Sequence, residues 1–314
     1  MELKHLETFL CVARHLHFTR AAEELGYVQS SVTAHVKALE AELGVQLFER
    51  LGRRVLLTEP GRELCGHARS LLGHAEQTRE AVRGAGDDPG QVRGTLRLAA
   101  PESLCAHHLP PVLRAVRERF PHLRLAFQPA GRGPLLDALA EGTVDAGFLQ
   151  EEAVREPGVR AERMLREPLR LIARAGHPLA SAGRVETADL VGETVLLLEA
   201  GCAQRIVMER ELSRAGLRPP TVEFFSLEAL RRCVSAGLGV GLAPTASVAR
   251  EAERGELAVL PWAEEPVLDV FFVRRGERGP TRAVRELADL ARAHWSANAV
   301  KERAQGRTGR PAAV

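Results

Sequence analysis

Residues 18–47, FTRAAEELGYVQSSVTAHVKALEAELGVQL, decide the fold of the N-terminal region. The stretch is typical of two short helices that meet at Gly26, a residue that adopts the positive φ of a tight turn without steric cost. One apolar stripe recurs at helical spacing through the second helix and is formed by Val32, Val36, Leu39 and Leu43. Two helices joined by such a turn predict a helix-turn-helix.

The opposite face of the second helix carries small or hydrogen-bonding side chains. Helical periodicity places Ser30, Thr33, Ala34 and Lys37 there. A helix that enters a DNA major groove, about 12 Å wide, needs donors and acceptors for base edges and few bulky groups on its outer face. The pattern alone also fits a helical pair within a larger core, so the flanking segments decide between the two interpretations.

Both flanks favour a winged helix-turn-helix. Upstream, a further amphipathic helix is predicted from Leu3, Leu6, Phe9, Leu10 and Ala13. Downstream, residues 48–50 and 53–58 predict a two-stranded wing with a basic cluster. Lys and Arg do not outnumber Asp and Glu between residues 1 and 61, so a DNA-binding domain must concentrate its cations on one face.

The first 65 residues or so resemble, without gaps, the DNA-binding half of LysR-type transcriptional regulators. The residues that carry the resemblance are Phe18, Ala21, Ala22, Leu25, Gln29, Ser31, Leu39, Glu40, Leu43, Gly44, Leu47, Phe48, Arg50, Thr58 and Gly61. Two positions depart from the family pattern. Val28 stands where Ser or Thr usually caps the recognition helix, and Ala34 stands where Arg is frequent.

The predicted DNA-binding residues fall into two groups. Base edges are expected to meet Gln29, Ser30, Thr33 and Ala34, and phosphates are expected to meet Lys37, Arg50, Arg53 and Arg54. Arg20 and Ser31 complete the set. For an arginine of the wing, the alternative is an ordinary solvated surface charge. The expected partner is double-stranded DNA carrying an interrupted palindrome.

A heptad follows the wing. Its positions are Leu57, Gly61, Leu64, Ala68, Leu71, Ala75, Thr78 and Val82. This alternation of three- and four-residue steps predicts a coiled-coil helix, the alternative being a helix packed on its own domain. The resemblance implies that the helix links two domains and joins copies of the chain into a homodimer or homotetramer.

Beyond a glycine-rich stretch the pattern changes to alternating strands and helices. Strands are expected at 95–99, 123–128, 144–149, 169–173, 194–198, 221–225, 240–243, 257–260 and 267–273, and helices at 103–120, 135–141, 203–215, 227–236 and 281–295. Strand-helix alternation with short loops predicts parallel sheets covered by helices on both faces. The chain is expected to cross twice between two such sheets.

This C-terminal region resembles the periplasmic-binding-protein-like effector domain of the same family. The resemblance lies in GTLRLAA, LPPVLRAVRERFPHLRL, LAEGTVDAGFL and VSAGLGVGLAP. The complete expectation is an α/β protein with an all-α winged helix-turn-helix over 1–58, a dimerisation helix over 59–88, and a two-subdomain effector domain over 89–296. Subdomain I is expected at about 91–163 and 267–296, subdomain II at about 164–266, and a disordered tail at 297–314.

Ligands of such sheets bind beyond the carboxyl ends of strands, where helix N-termini offer free N–H groups. That rule and the resemblance predict a small-molecule effector site at Ser103, Leu104, Gln150, Cys202, Arg205, Ser226 and Thr245. Arg205 suggests an anionic effector. For Ser226 and Thr245, helix capping is an equally good explanation.

Composition limits the other possibilities. Of 314 residues 45% are hydrophobic, and no apolar run of membrane-spanning length or signal peptide occurs, so a cytoplasmic protein is expected. The cysteines (Cys11, Cys65, Cys105, Cys202 and Cys233) have no metal-binding or disulfide spacing. Redox sensing by Cys202 and metal binding by Cys105, His107 and His108 are minor alternatives. No cofactor and no metal are expected.

The sequence predicts a transcriptional regulator rather than an enzyme, since no catalytic motif is visible. An activator would also contact RNA polymerase. One alternative is an enzyme or solute-binding protein with an incidental N-terminal helical domain. Another is an architectural DNA-binding protein without an effector. This alternative is disfavoured because it assigns no function to the C-terminal domain.

Overall fold

The computed structural model describes residues 1–51, 54–84, 92–276 and 279–306. The chain divides into two compact units, of which the first holds Met1–Gly94 and Asp137–Val144 and the second holds Thr95–Leu136 and Asp145–Val314. No helix in the described parts of the chain has the length and apolarity that crossing a bilayer would require.

The first unit begins with the predicted winged helix-turn-helix. Its elements are α1 (Leu3–His15), α2 (Phe18–Leu25), α3 (Gln29–Leu43), β1 (Phe48–Leu51) and β2 (Arg54–Leu57), with β1 and β2 antiparallel. Gly26 and Gly44 end α2 and α3 at φ values of 68° and 71°. These are the left-handed conformations that the turn after each helix requires.

Three phenylalanines form the centre of this domain. The ring of Phe48 lies 5.4 Å from that of Phe9 and 5.8 Å from that of Phe18, in tilted and edge-on arrangements. The predicted stripe of α3 is buried at Val32, Val36 and Leu39. Leu43 does not share this burial, because it is the last residue of α3 and extends past the core to solvent.

The heptad segment forms α4 (Glu59–Gly84), but its apolar positions divide into two groups. Gly61 and Ala68 are buried and Ala68 packs into the core of the first unit, whereas Leu71 and Val82 are exposed. The first half of the heptad therefore packs into the core of its own domain. The second half leaves apolar side chains at the surface. Residues 85–88 of the predicted linker lie outside the described residues.

The second unit is mainly α/β. Its elements, including the segments at its border with the first unit, are β3 (Gly94–Ala100), α5 (Glu102–His107), α6 (Leu109–Arg119), β4 (Leu123–Pro129), α7 (Arg132–Glu141), β5 (Ala146–Glu151), β6 (Val159–Arg174), β7 (Val195–Leu198), α8 (Ala203–Arg214), β8 (Thr221–Phe224), α9 (Leu227–Ser235), β9 (Val240–Pro244), α10 (Thr245–Glu253), β10 (Leu257–Val259), β11 (Val267–Arg275) and α11 (Arg282–Gly306).

The strands form a mixed sheet, and the expectation of purely parallel sheets is wrong. Their order is β4-β3-β5-β11-β6-β9-β7-β8, with β10 also paired to β6. The pairs β3–β5, β7–β9 and β7–β8 are parallel, but β11 runs antiparallel to β5 and β6, and β6 antiparallel to β9 and β10. The long strands β6 and β11 return the chain between two parallel groups, so they must run against their neighbours.

The crossing between the two groups lies within β6. Residues 159–168 of this strand pair with β11, and residues 169–172 pair with β9. At the change of partner, the hydroxyl of Thr245 donates a hydrogen bond of 2.8 Å to the carbonyl of Pro168. The first residue of α10 is thus held to the crossing strand.

Three further element predictions need correction. The helix expected over 103–120 breaks between α5 and α6 at His108, because Pro110 and Pro111 lack the N–H groups that would continue α5 but suit the first turn of a new helix. The structure adds α10, which was not predicted. It also extends the last helix to Gly306, through a segment rich in Ala, Lys, Glu and Arg, which favour helix. Residues 307–314 of the predicted tail lie outside the described residues.

Candidate DNA-binding surface and ligand cleft

The outer face of α3 is polar and open. Gln29, Ser30, Ala34 and Lys37 are exposed, and Ser31 and Thr33 are half-buried. Since the opposite stripe of α3 fills the core, the register of the helix fixes which side chains face outward. The structure thus brings the predicted base-contacting residues together on one surface, named here the α3 face: Gln29, Ser30, Thr33, Ala34 and Lys37.

Two residues of the α3 face support each other. The side-chain amide of Gln29 donates to the hydroxyl of Thr33 at 3.3 Å, and that hydroxyl donates to the backbone carbonyl of Gln29 at 3.0 Å. This contact orients both side chains before any ligand arrives, which lowers the entropy lost on binding.

The N-terminus of α3 has no side-chain cap. Val28 occupies the N-cap position, is 65% exposed, and leaves its carbonyl to accept from the N–H groups of Ser31 and Val32. Within the described parts of the chain, the N–H groups of Gln29 and Ser30 have no hydrogen-bond partner. Helix N-termini with such free donors attract anions, including DNA phosphates.

Three cations of the helix-turn-helix and the wing remain available. Arg20, Lys37 and Arg54 are exposed, and no ion pair joins any of them to another described residue. The backbone of Arg50 lies on β1. The side chain of Arg50 and the whole of Arg53 lie outside the described residues.

The inner flank of α3 contacts α1 through a buried hydroxyl. The hydroxyl of Thr8 donates to the carbonyl of Lys4 at 2.8 Å and lies 3.0 Å from Nδ1 of His35. The imidazole of His5 lies against that of His35, with ring centroids 4.9 Å apart. Burial, followed by the charges of His5 and Lys4, lowers the pKa of His35, so this helix contact favours the neutral imidazole.

The second unit contains a cleft of about 450 Å³. Its walls come from the segment after β3, the start of α7, the end of β5 and the start of α8, and its lining residues are Pro101, Gly131, Arg132, Gly133, Pro134, Leu149, Gln150, Glu151, Glu199, Ala200, Gly201, Cys202, Ala203 and Gln204. Strand ends and a helix start thus meet where the sheet rule predicts a ligand.

A chain of hydrogen bonds crosses this cleft. The thiol of Cys202 donates to Oε1 of Gln204 at 2.6 Å, and Nε2 of Gln204 donates to Oε1 of Gln150 at 3.1 Å. Nε2 of Gln150 is buried and has no hydrogen-bond partner among the described residues. An unsatisfied buried donor costs free energy, so this amide is suited to bind an acceptor atom of a ligand.

Burial raises the pKa of the Cys202 thiol to about 11, although the backbone N–H groups of Gln204 and Arg205 act in the opposite direction. The thiol is therefore protonated near neutral pH. Since the thiolate is the nucleophile in cysteine chemistry, Cys202 serves as a neutral donor in the cleft.

The structure brings only part of the predicted effector set into the cleft. Gln150 and Cys202 line it, whereas Ser103, Leu104, Arg205, Ser226 and Thr245 do not. Leu104 is a buried core residue, and the Ser226 hydroxyl accepts from the N–H of Ala229 as the N-cap of α9. Ser103 lies half-buried in the short helix α5.

Arg205 has partners of its own. Its guanidinium lies 2.7 Å from Glu209 and 2.9 Å from Glu223, and it donates to the carbonyl of Leu198 at 3.0 Å. Sequence reasoning missed the neighbouring Gln204 as well as Arg132, Glu151 and Glu199. The strand-end rule that selected Gln150 also covers Glu151 and Glu199, each at or just after a strand end.

The candidate metal ligands Cys105 and His108, in α5 and just after it, contact different partners. The Cys105 thiol donates to the carbonyl of Pro101 at 3.1 Å, and the imidazole of His108 contacts the carboxylate of buried Glu167. Ligand atoms of Cys11, His15 and Glu24 do lie within 4.8 Å of one another in the first unit. There, however, the guanidinium of Arg14 already donates to both Cys11 and Glu24 and supplies the positive charge.

Both units match known families along most of the chain. Residues 3–62 match the model of the bacterial regulatory helix-turn-helix protein of the lysR family, and residues 89–296 match the LysR substrate binding domain. The chain belongs to the LysR family. It is accordingly a DNA-binding transcriptional regulator with a C-terminal effector-binding domain.

Known LysR regulators resemble the chain over nearly its whole length. The uncharacterized HTH-type transcriptional regulator YwqM of Bacillus subtilis is 35% identical over 93% of this chain and 99% of the relative. The hydrogen peroxide-inducible genes activator of Pectobacterium carotovorum is 32% identical over 94% of this chain and 97% of the relative. A full-length OxyR variant from Pseudomonas aeruginosa has a similar structure, with a TM-score of 0.71 and 29% identity over 93% of this chain and 95% of that one.

Proposed function

We propose that this LysR-family regulator recognises specific DNA sites through the α3 face and the wing, and that a small molecule in the cleft of the second unit modulates its DNA binding or its activation of transcription. The observation that carries the proposal is the α3 face itself. Most of its hydrogen-bonding side chains are exposed, and its one cation, Lys37, has no ion pair with any described residue.

The α3 face and the cations contact different parts of the DNA. Gln29, Ser30, Thr33 and Ala34 meet base edges in the major groove, where donors and acceptors distinguish the base pairs. Lys37, Arg20, Arg50, Arg53 and Arg54 meet phosphates, and Ser31 lies at the edge of the same surface. Free N–H groups at the start of α3 provide a further phosphate contact.

Self-association presents two such surfaces to one DNA site. The exposed apolar side chains of Leu71 and Val82 on α4 support pairing of two copies through this helix, as a homodimer or within a homotetramer. Two helix-turn-helix domains related by a two-fold axis bind two half-sites, so the expected target is an interrupted palindrome. An activator of this kind would also contact RNA polymerase.

The cleft supplies the regulatory site. A ligand there and DNA must influence each other's affinity by the same factor, because coupling between sites is reciprocal. Some relatives are named for hydrogen peroxide induction. The protonated Cys202 thiol favours reversible, noncovalent binding over peroxide chemistry.

Titration of the DNA upstream of the protein's own gene tests the proposal. The native protein should protect a defined palindromic segment, and Lys37→Ala should weaken that binding about tenfold or more, whereas Arg218→Ala, at an exposed arginine of the second unit, should leave it unchanged. Equal affinity for scrambled DNA, or turnover of a metabolite without DNA protection, would favour the enzyme interpretation.

A metabolite screen by thermal shift tests the cleft, since a ligand that binds only the folded protein raises Tm. A stabilising metabolite should lose its effect in Gln150→Leu and keep it in Gln128→Leu, an exposed glutamine on β4 that does not line the cleft. Equal effects of the two variants would remove the cleft from the proposal.

A further inference from the structure

Among the ionisable side chains that line the cleft, acidic groups outnumber basic ones. Arg132 is the single cation among the lining residues, against the carboxylates of Glu151 and Glu199. The guanidinium of Arg132 lies 3.7 Å from Glu151 and 3.1 Å from Glu156, so two carboxylates already share its charge. Burial raises the pKa of Glu151, and the charge of Arg132 opposes that shift.

Glu199 is the carboxylate that remains. It follows β7 and is half-buried. Its backbone carbonyl accepts from the N–H of Cys202, but its carboxylate has no hydrogen bond or ion pair with any described residue. A carboxylate without a nearby cation, at a wall of low polarity, gives the cleft a negative potential. Its position among the lining residues makes it available to a ligand.

Arg205, on the first turn of α8, does not offset Glu199. Arg205 does not line the cleft, and its guanidinium is taken up by Glu209, Glu223 and a backbone carbonyl. The N-terminus of α8 offers N–H groups, which suit a neutral acceptor oxygen, but a full negative charge would also have to approach Glu199 and Glu151.

Gln150 gives an independent sign that the cleft is built for a ligand. Its side chain is only 5% exposed, it lines the cleft, and its Nε2 has no hydrogen-bond partner within the described residues. Because its Oε1 already accepts from Gln204, the amide is held in one orientation and its N–H groups remain for an oxygen of the ligand.

The geometry points to an effector that is a small organic cation. We infer that a protonated amine of the effector meets Glu199, with Glu151 nearby, and that a neutral oxygen of the same molecule accepts from Gln150. Organic anions such as carboxylates and phosphates are excluded. This inference rests on the proposed function, in which the cleft is the regulatory site, and it replaces the anionic effector that Arg205 suggested from sequence.

Cys202 allows the potential of the cleft to be measured without knowing the effector. Two methanethiosulfonate reagents of similar size, one carrying a trimethylammonium group and one a sulfonate, both transfer their thioalkyl group to a thiolate and release methanesulfinate. The full-length protein is treated with each, and labelling of Cys202 is followed by peptide mass spectrometry. The rate ratio, cation over anion, is divided by the same ratio for free 2-mercaptoethanol.

The normalised ratio should exceed one by about tenfold, because a negative cleft concentrates the cationic reagent. Glu199→Gln should bring the ratio several-fold closer to one, and Glu253→Gln, at an exposed glutamate of α10 away from the cleft, should leave it unchanged. A ratio of one or less, or equal effects of the two variants, would overturn the inference. If the protonated thiol reacts with neither reagent, a larger Tm gain from N-acetyl-leucine than from leucine amide would overturn it instead.

A ligand series completes the test and separates this inference from the proposed function. Leucine amide, N-acetyl-leucine amide and N-acetyl-leucine place a cation, a neutral group and an anion on a common skeleton. Of the three, leucine amide should raise Tm most, and the gain should shrink in Glu199→Gln. Stabilisation by N-acetyl-leucine that depends on Gln150 would keep the cleft as the effector site and refute its preference for cations. A cation preference at Cys202 in a protein that protects no DNA segment would refute the proposed function alone.

Discussion

Nε2 of Gln204 on α8 donates a hydrogen bond of 3.1 Å to Oε1 of Gln150 on β5, and so joins two walls of the ligand cleft. Both side chains are buried. Gln204 also accepts from the thiol of Cys202. The side chain of Gln204 therefore fixes the start of α8 against the end of β5.

Replacement of this glutamine should destabilise the second unit. Gln204→Ala leaves Oε1 of Gln150 without its donor, a loss worth about 1–3 kcal/mol for a buried polar group. Urea unfolding should show the loss, and Gln128→Ala, at an exposed position, should change the free energy of unfolding by less than about 0.5 kcal/mol. Equal stability of the two variants would contradict a structural role for the Gln204 contact.

A side-chain cap at the start of α3 should stabilise the DNA-binding domain. Val28→Ser provides an oxygen for the free N–H groups of the first turn, a gain of about 1 kcal/mol. Thermal unfolding should show a higher Tm than for the native protein. Val45→Ser, at an exposed valine beyond the helix end, is the matched control. A lowered or unchanged Tm in Val28→Ser would mean that water already satisfies these N–H groups.

The lowered pKa of His35 should make the first unit less stable in acid. The folded state binds its proton less readily than the unfolded state, whose imidazole titrates near about 6.5, so stability is complete above that pH and falls as the pH drops through it. The free energy of unfolding, followed between pH 8 and pH 5, should fall less in His35→Gln. His67→Gln, at an exposed imidazole of α4, should retain the native slope.

Gly61 and Gly66 should respond in opposite directions to alanine. A Cβ on Gly61 would lie 2.2 Å from the carbonyl oxygen of Leu47, whereas one on Gly66 would meet its nearest neighbour at 3.7 Å. Both sites are helical, where alanine is otherwise favoured by about 1 kcal/mol. Denaturant unfolding should therefore show Gly66→Ala stabilised and Gly61→Ala destabilised by about 1–3 kcal/mol. The same sign for both would contradict the close contact of α4 with Leu47.

Base and phosphate contacts should differ in their response to salt. Thr33→Ala is expected to change preference among related DNA sites, because it also frees the Gln29 amide. Arg54→Ala should weaken all sites alike and reduce the slope of log affinity against log salt by about 1. Titrations on native and scrambled operators at several salt concentrations separate these outcomes. Equal losses on every sequence for both variants would remove Thr33 from the base-reading set.

The sequence predicted the DNA-binding domain in detail because its signals are local. The turn at Gly26, the stripe through Val32 and Val36, and the polar outer face of α3 follow from helical periodicity over a few turns. The wing followed from the segment just after α3, and the resemblance to the LysR family added the order of domains. Leu43 is exposed, unlike the rest of its stripe, because helical periodicity does not show where the core ends.

The cleft depended on contacts that periodicity does not contain. Gln150 was predicted because it ends a strand, but its partner Gln204 lies 54 positions away in the chain. Arg205 and Gln204 are adjacent on α8, and only the packing of that helix decides that Gln204 turns into the cleft while Arg205 meets Glu223. This arrangement is the reason that we infer a cationic effector in place of the anionic one expected from Arg205.

The sequence by itself determined the family, the helix-turn-helix and most strands and helices, because side-chain periodicity and turn residues act over short distances. Tertiary structure decided the antiparallel course of β6 and β11, the division of the α4 seam and the polar groups that share the cleft. Pairing partners and burial arise between segments far apart in the chain, and no local pattern records them.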